Sequence, residues 1–273
     1  MSRPPQASPD LTDRHALALH RRRIARAPEL FLHREAAAEV QERLSEVNRT
    51  FTAPAIVTPF PEAWDLPGAQ VVPDDDILDL KPGAHDLVIH ALSLHWANDP
   101  VGQMVQCRRA LRPDGLFLAV LFGGQTLNEL RRALAEAEAH VTGGLSPRVL
   151  PMGEIRDLGA LLQRAGFALP VADSATTVVT YADPLRLMRD LRAMGESNAL
   201  GARLRHPTRR AVMLEAIRRY AEHFPAADDP TRIRATFEMI YLTGWAPHEG
   251  QQKPLRPGSA ITRLADALGK DTP

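Results

Sequence analysis

The stretch that most constrains this chain runs from Asp86 to Gly124, DLVIHALSLHWANDPVGQMVQCRRALRPDGLFLAVLFGG. Its apolar start, Asp86 to Leu92, has the continuous hydrophobicity of a strand covered on both faces. A polar loop, Ser93 to Asn98, follows. Asp99-Pro100 then opens a helix, because an aspartate can accept from the free N–H groups of the first turn while proline gives up a donor that has no partner there. The spacing predicts that helix from Pro100 to about Leu111, a turn at Arg112-Pro-Asp-Gly115, and a second buried strand over Leu116–Phe122. Strand, helix and parallel strand form a right-handed crossover, so the fold class is α/β with helices on both faces of the sheet.

The rest of the chain is read around that unit. A basic helix is predicted from Asp13 to Arg26, with Leu17 and Ile24 on one face and Arg21, Arg22 and Arg23 on the other, either as a solvated surface or as a contact for an acidic partner. A second helix runs from about Arg34 to Asn48. Ala55-Ile-Val and Gln70-Val-Val are short strands, and Asp74-Asp-Asp stands where the second one ends. Ligands of open α/β sheets bind beyond the carboxyl ends of strands. Asp74 and its neighbours are therefore either a solvated turn or a contact for ribose or adenine.

Further along, Thr126-Leu-Asn-Glu129 has the form of a capping box ahead of a helix to about His140. Ile155 to Ala165 is a helix stopped by Gly166. Val171 and Thr176–Tyr181 supply antiparallel edge strands. A second Asp-Pro pair starts a helix at Pro184, Gly195 to Ala199 is a polar loop, Thr208–His223 is an amphipathic helix, and Arg234–Thr243 is strand-like. Organisation is expected as a disordered tail over 1–10, helices over 11–50, an α/β core over 51–182, and a helical and strand extension over 183–273 that completes the same domain.

Composition narrows the partners. Thirty-three basic residues balance thirty-three acidic ones, so no global field steers the chain to nucleic acid or to a membrane. No apolar run reaches the roughly 18 residues of a membrane span. A single cysteine, Cys107, excludes an intramolecular disulfide and any cysteine-rich metal site, and a reducing, cytoplasmic location is the expectation. The ten histidines are scattered, and His90 and His95 lack ligand spacing, so no metal is expected. Candidate site residues at strand ends are Asp74, Asp75, Ser93, His95, Trp96 and Gly123, with Gly124 beside it. His95 is either a general base, a ring that stacks on a ligand, or a structural loop histidine. No catalytic residue can be singled out.

Several motifs together, SLHWANDP, ALRPDGLF, FGGQTLNELR, DLGALLQRAGF, DLRAMGESNAL and LTGWAPHEGQQKP, resemble the class I methyltransferase-like family of mitochondrial complex I assembly factor 5 and its bacterial relatives. The likeness spans nearly the whole chain from Leu11. The central region is more distantly similar to the malonyl-carrier-protein methyltransferases of biotin synthesis. The resemblance implies a Rossmann-like methyltransferase sheet, S-adenosylmethionine as cofactor near Asp74, and a protein client, a peripheral-arm subunit of complex I. It also implies methyltransferase or protein-arginine hydroxylase activity if the chain is an active enzyme. The chain departs from the family at one place: no glycine lies between Phe51 and Pro67, where members carry a glycine-rich turn. Phe60, Pro61 and Trp64 would fill the cofactor space or redirect the loop. The interval to Asp86 is also short by about a helix and a strand, so the sheet is expected to be truncated at its first strand-turn-helix unit. The expected function is a methyltransferase-like complex I assembly factor with S-adenosylmethionine binding in doubt, and the alternative is an active enzyme with a reshaped pocket.

Overall fold

The structure is a computed structural model that describes residues 10–24 and 28–251. The tail expected over 1–10 lies outside the described residues except for Asp10. The same holds for Ala25 and Arg26, where the sequence reading ends its first helix, and for the chain beyond Gln251.

Among the described residues six strands form one mixed sheet: β1 (Pro54–Val57), β2 (Gln70–Val72), β3 (His85–Ala91), β4 (Leu111–Phe122), β5 (Ala168–Tyr181) and β6 (Ile233–Trp245). Their spatial order is β2-β1-β3-β4-β6-β5. The first four are mutually parallel, whereas β6 runs antiparallel to both β4 and β5. Among the described residues seven helices surround the sheet: α1 (Arg14–Ile24), α2 (Phe31–Glu46), α3 (Pro100–Ala110), α4 (Asn128–Thr142), α5 (Ile155–Ala165), α6 (Pro184–Ala193) and α7 (Arg210–His223).

Sequence chemistry explains the central elements. β3 is buried along nearly its whole length between two apolar layers. One layer is built with α2, α4, α6 and α7, and the other with α3 and α5. Both Asp-Pro starts work as expected: Asp99 accepts from the Gly102 N–H at 2.8 Å and Asp183 from the Arg186 N–H at 2.9 Å. Asp86 fixes the entry to β1 by accepting from the Thr52 and Ala53 N–H groups at 2.6 and 2.9 Å. Gly166 stops α5 in the left-handed region, at φ 83°.

Three readings need correction. The expected turn at Arg112–Gly115 is a bulge inside β4: His85 pairs with Leu111 and Leu87 with Leu116, so the extra residues loop out, with Asp114 at φ 62°. Thr126 and Glu129 do not form a capping box. Thr126 Oγ1 donates to the Glu238 carbonyl and accepts the Glu238 N–H, both at 3.0 Å, while Glu129 accepts from Thr236. Both side chains tie the start of α4 to β6, and the helix begins after Leu127 in a left-handed conformation. Nor does Arg21 lie on an outer, solvated face of α1. Its guanidinium turns inward to Asp74.

The connection from β1 to β2 is the unusual one. Parallel neighbours are normally joined through a helix, but residues 58–69 contain only a short 3-10 turn, Pro61–Ala63. The sheet is thus shortened on this side, and β2 takes the position next to β1.

Candidate functional site

The carboxyl ends of β1, β3 and β4 share one crest, and the chain leaves β1 toward one side of the sheet and β3 toward the other. Such a switch point is where open α/β sheets hold ligands. Two different environments lie along this crest.

Over β1 the space is filled by the protein itself. Phe60 and Trp64, from the loop after β1, are buried. Both meet the His33 ring of α2 edge-on, with centroids 5.1 and 6.3 Å away. Trp64 Nε1 donates to His33 Nδ1 at 3.4 Å, a long bond. Burial holds His33 down at about 4, so its neutral ring can accept that proton. Gly195, at φ 80°, closes the packing from above. A Cβ there would come within 3.2 Å of Arg21 Cγ and 3.3 Å of Phe60 Cζ.

Asp74 lies beside this plug and is 7% exposed at its side chain. Arg21 Nη1 donates to both of its carboxylate oxygens, at 2.8 and 2.9 Å, and Arg14 reaches Oδ2 at 3.3 Å and also donates to the Asp74 carbonyl. Asp75 is exposed, and its carbonyl accepts from Gln103 Nε2 at 3.0 Å. Ser93 turns away from the crest toward His90 Nδ1, 3.5 Å off, and His90 Nε2 meets Gln103 Oε1 at 2.8 Å. Burial lowers His90 to about 4, which suits a neutral structural ring.

Over β4 the crest is open. His95 and Trp96 form a short 3-10 turn with Leu94 and converge on a carboxylate that sequence reasoning passed over, Glu196. Trp96 Nε1 donates to Glu196 Oε2 at 2.8 Å, and His95 Nε2 lies 3.4 Å from the same oxygen. Burial pushes the Glu196 carboxyl upward, but the bonds from His95 and Trp96 and the charge of Arg21 outweigh it, and the net shift is downward. Glu196 is therefore an ionised carboxylate whose Oε1 takes neither bond.

Glu196 is among the residues that border a cavity of about 220 Å³ with apolar walls that include Phe122, Leu130, Met152, Met188 and Phe237. Arg148 stands at its rim, held by Glu138 at 2.7 and 3.0 Å and by Thr208 at 2.8 Å. That pairing holds the Glu138 carboxyl at about 2. Gly123 lies behind the cavity, where any Cβ would sit 2.6 Å from Glu238 Oε2. Its role in the turn is steric, and its N–H donates to the Glu238 carbonyl at 2.8 Å.

The six candidate residues thus divide. His95 and Trp96 come together at Glu196, Asp74 and Asp75 sit beside α1, Ser93 belongs to the His90 chain, and Gly123 shapes a turn. Glu196 lay in plain view in the GESN loop, but a short polar loop after a helix reads as solvated. A methionyl cofactor with an adenosine half needs backbone close approach above β1 and a free carboxylate nearby. Aromatic rings and a carboxylate already paired with two arginines do not fit that group. Among the described residues no cluster of three or more histidine, cysteine or acidic side chains could hold a metal, and no helix is long and apolar enough to cross a membrane.

Residues 33–119 match a family model described as a methyltransferase domain. The fold and this match make the chain a class I methyltransferase-like protein. It is similar to the proteins named arginine-hydroxylase NDUFAF5, mitochondrial: the zebrafish protein (Danio rerio) is 40% identical over 202 residues, 74% of this chain and 62% of that protein. The Dictyostelium discoideum protein of that name is 43% identical over 72% of this chain and 44% of its own length. A malonyl-[acyl-carrier protein] O-methyltransferase from Nitrosospira multiformis is 34% identical over 65% of this chain and 54% of that enzyme. The chain therefore spans less than two thirds of the length of these relatives. Among solved structures, a putative methyltransferase from Bacillus halodurans superposes with a TM-score of 0.47 at 12% identity, over 76% of this chain and 97% of that one, a likeness too loose to bear on function. The cytoplasmic expectation does not stand, because the relatives at about 40% identity are named as mitochondrial. Its basis was the single cysteine, and a reducing setting does not distinguish one such compartment from another.

Proposed function

We propose that this chain is a methyltransferase-like assembly factor for respiratory complex I that holds a protein client in the cavity beside Glu196 and does so without S-adenosylmethionine. One contrast carries this reading: Phe60, Trp64 and the Arg21–Asp74 pair occupy the crest over β1, while a cavity floored by a carboxylate stays open over β4. The named relatives supply the client class. They are arginine hydroxylases by name, and a cavity with methionine and leucine walls ending on an ionised carboxylate suits a side chain with an apolar stem and a cationic head. A peripheral-arm subunit of complex I is the client that the family resemblance supports.

The test is fluorescence anisotropy of peptides from peripheral-arm subunits that carry arginine, against the same peptides with glutamine in its place. The arginine peptides are expected to bind at least tenfold more tightly, and Glu196→Gln to remove that preference. Equal affinity for both peptide sets would contradict the assignment of the cavity.

A second reading, turnover of the bound arginine, is favoured by the relatives' name alone. It keeps the same cavity and the same role for Glu196 in orienting the side chain.

A further inference from the structure

Among the described residues, β5 pairs on one side only, with β6, and no strand covers its other edge. Pro170 and a register shift between Ala168 and Val171 interrupt the start of this edge, but from Val171 to Tyr181 it reads VADSATTVVTY, with Asp173 as its single charge and no proline or lysine. Soluble proteins normally blunt an edge of this length with charges, prolines or bulges. Here Asp173 is bound by Arg43 at 2.6 and 2.7 Å, and Arg232 donates to the Thr180 carbonyl at 2.8 Å. In the middle of the strand Thr177 Oγ1 donates to Glu35 Oε1 at 2.5 Å, a side-chain bond, and among the described residues no strand pairs with this edge.

Four large apolar side chains are exposed along the same border: Leu169 and Leu185 by 45 and 43%, Val171 and Val178 both by 55%. Leu169 and Val171 flank a groove of about 470 Å³ between β5 and α5 that includes Ile155, Ala160 and Pro170. Leu185 sits at the opposite end, where the chain turns from β5 into α6.

We propose that β5 is the interface of a symmetric dimer, in which two copies of this chain join their sheets antiparallel about a two-fold axis at Thr176. Self-pairing about that residue sets Ser174 opposite Val178, Asp173 opposite Val179 and Val171 opposite Tyr181. Each Asp173 then faces an uncharged residue and keeps its bond to its own Arg43, so within the paired strands no like charges stand opposite each other, while Glu35 of each copy, which accepts from Thr177 Oγ1 at 2.5 Å, lies near the axis. The same symmetry carries Leu185 of each copy to the Leu169 and Val171 end of the other. The two exposed apolar corners of one chain are thus complementary to each other in the pair.

Area makes those corners necessary. Eleven paired residues give a strip about 37 Å long, which alone falls short of the roughly 800 Å² per partner of a stable complex. The groove and Leu185 add contact at both ends because the two-fold duplicates them. An extended segment of a client could add to the edge in the same way, but it would not explain why the corners match.

Sedimentation velocity of the full chain from about 1 to about 100 μM tests the proposal, with dimer expected to predominate at the upper end. Thr176→Lys places two charges face to face on the axis and is expected to raise the dissociation constant at least tenfold, with Leu185→Lys having a smaller effect in the same direction. Far-UV circular dichroism of both variants at low concentration checks that they fold. Thr176→Cys is expected to give a disulfide-linked dimer on mild oxidation, since the one native cysteine, Cys107, is buried. A monomer throughout that range, with or without client peptide, overturns the proposal. So does a dimer that neither lysine variant weakens.

Discussion

The two halves of the crest differ in what the chain has done with the same kind of space. Over β1, a loop without glycine places Phe60 and Trp64 against His33, and two arginines neutralise Asp74. Over β4, Gly123 and Gly124 leave room for the side chains of Glu238 and Glu154, and a cavity remains between the sheet and α6. Both halves contain a buried or half-buried carboxylate, Asp74 in one and Glu196 in the other. Asp74 has every oxygen occupied by protein, whereas among the described residues only Oε2 of Glu196 is bonded. A carboxylate with all its partners in the fold stabilises the fold; one with a spare oxygen beside a cavity can recognise a ligand.

If one half is core and the other is a site, truncation should cost very different amounts. Phe60→Ala removes a buried ring packed against His33 and Gly195, and it is expected to lower unfolding stability by about 4 kcal/mol. Met188→Ala removes a side chain that already borders empty space, and its expected cost is about 1 kcal/mol. Urea denaturation of the two variants measures both. Equal losses would erase the distinction between a filled half and an open one.

Asp74→Ala comes next. It leaves the Arg21 guanidinium, 12% exposed, without the only carboxylate it bonds among the described residues, at an expected cost of about 3 kcal/mol. Asp74→Asn keeps the shape and some hydrogen bonding, so its loss should be smaller. If Asp74→Ala is neutral in the same urea series, the pair is not part of the core.

Acid should separate the halves by pH. His33 titrates at about 4 in the fold against an ordinary 6.5, because burial disfavours its charged form. The unfolded chain therefore binds that proton first, and the stability from His33 is full above pH 6.5 and lost as pH falls toward 4. Glu138 is lowered from 4.5 to about 2 by Arg148, so its contribution is full above pH 4.5 and lost as pH falls toward 2. Melting of the His33→Phe variant should show a flatter profile between pH 6.5 and 4, and melting of Glu138→Gln a flatter one between pH 4.5 and 2. A profile unchanged by either substitution would remove that half from the argument.

The sequence made the scaffold readable because its signals are local. Asp99-Pro100, Asp183-Pro184 and Gly166 each mark a helix end within a few residues, and β3 announces itself by unbroken hydrophobicity. The missing glycines before Pro67 also pointed to the plug, since bulk without glycine can only fill or divert a loop. What stayed hidden depends on residues far apart in the chain. Arg21 looked like part of a solvated run until Asp74, fifty-three residues away, turned out to be its partner. Thr126 and Glu129 had the spacing of a capping box but spend their hydrogen bonds on β6. Glu196 carries no motif that marks a site, and only its meeting with Trp96 one hundred residues earlier gives it meaning.

Calorimetric titration of the full chain with S-adenosylmethionine tests the difference between the two halves most directly. The filled crest over β1 predicts no saturable heat, with any affinity weaker than about 100 μM. A dissociation constant below that value would contradict the account, because the cofactor could then reach its place only by displacing Phe60 and Trp64.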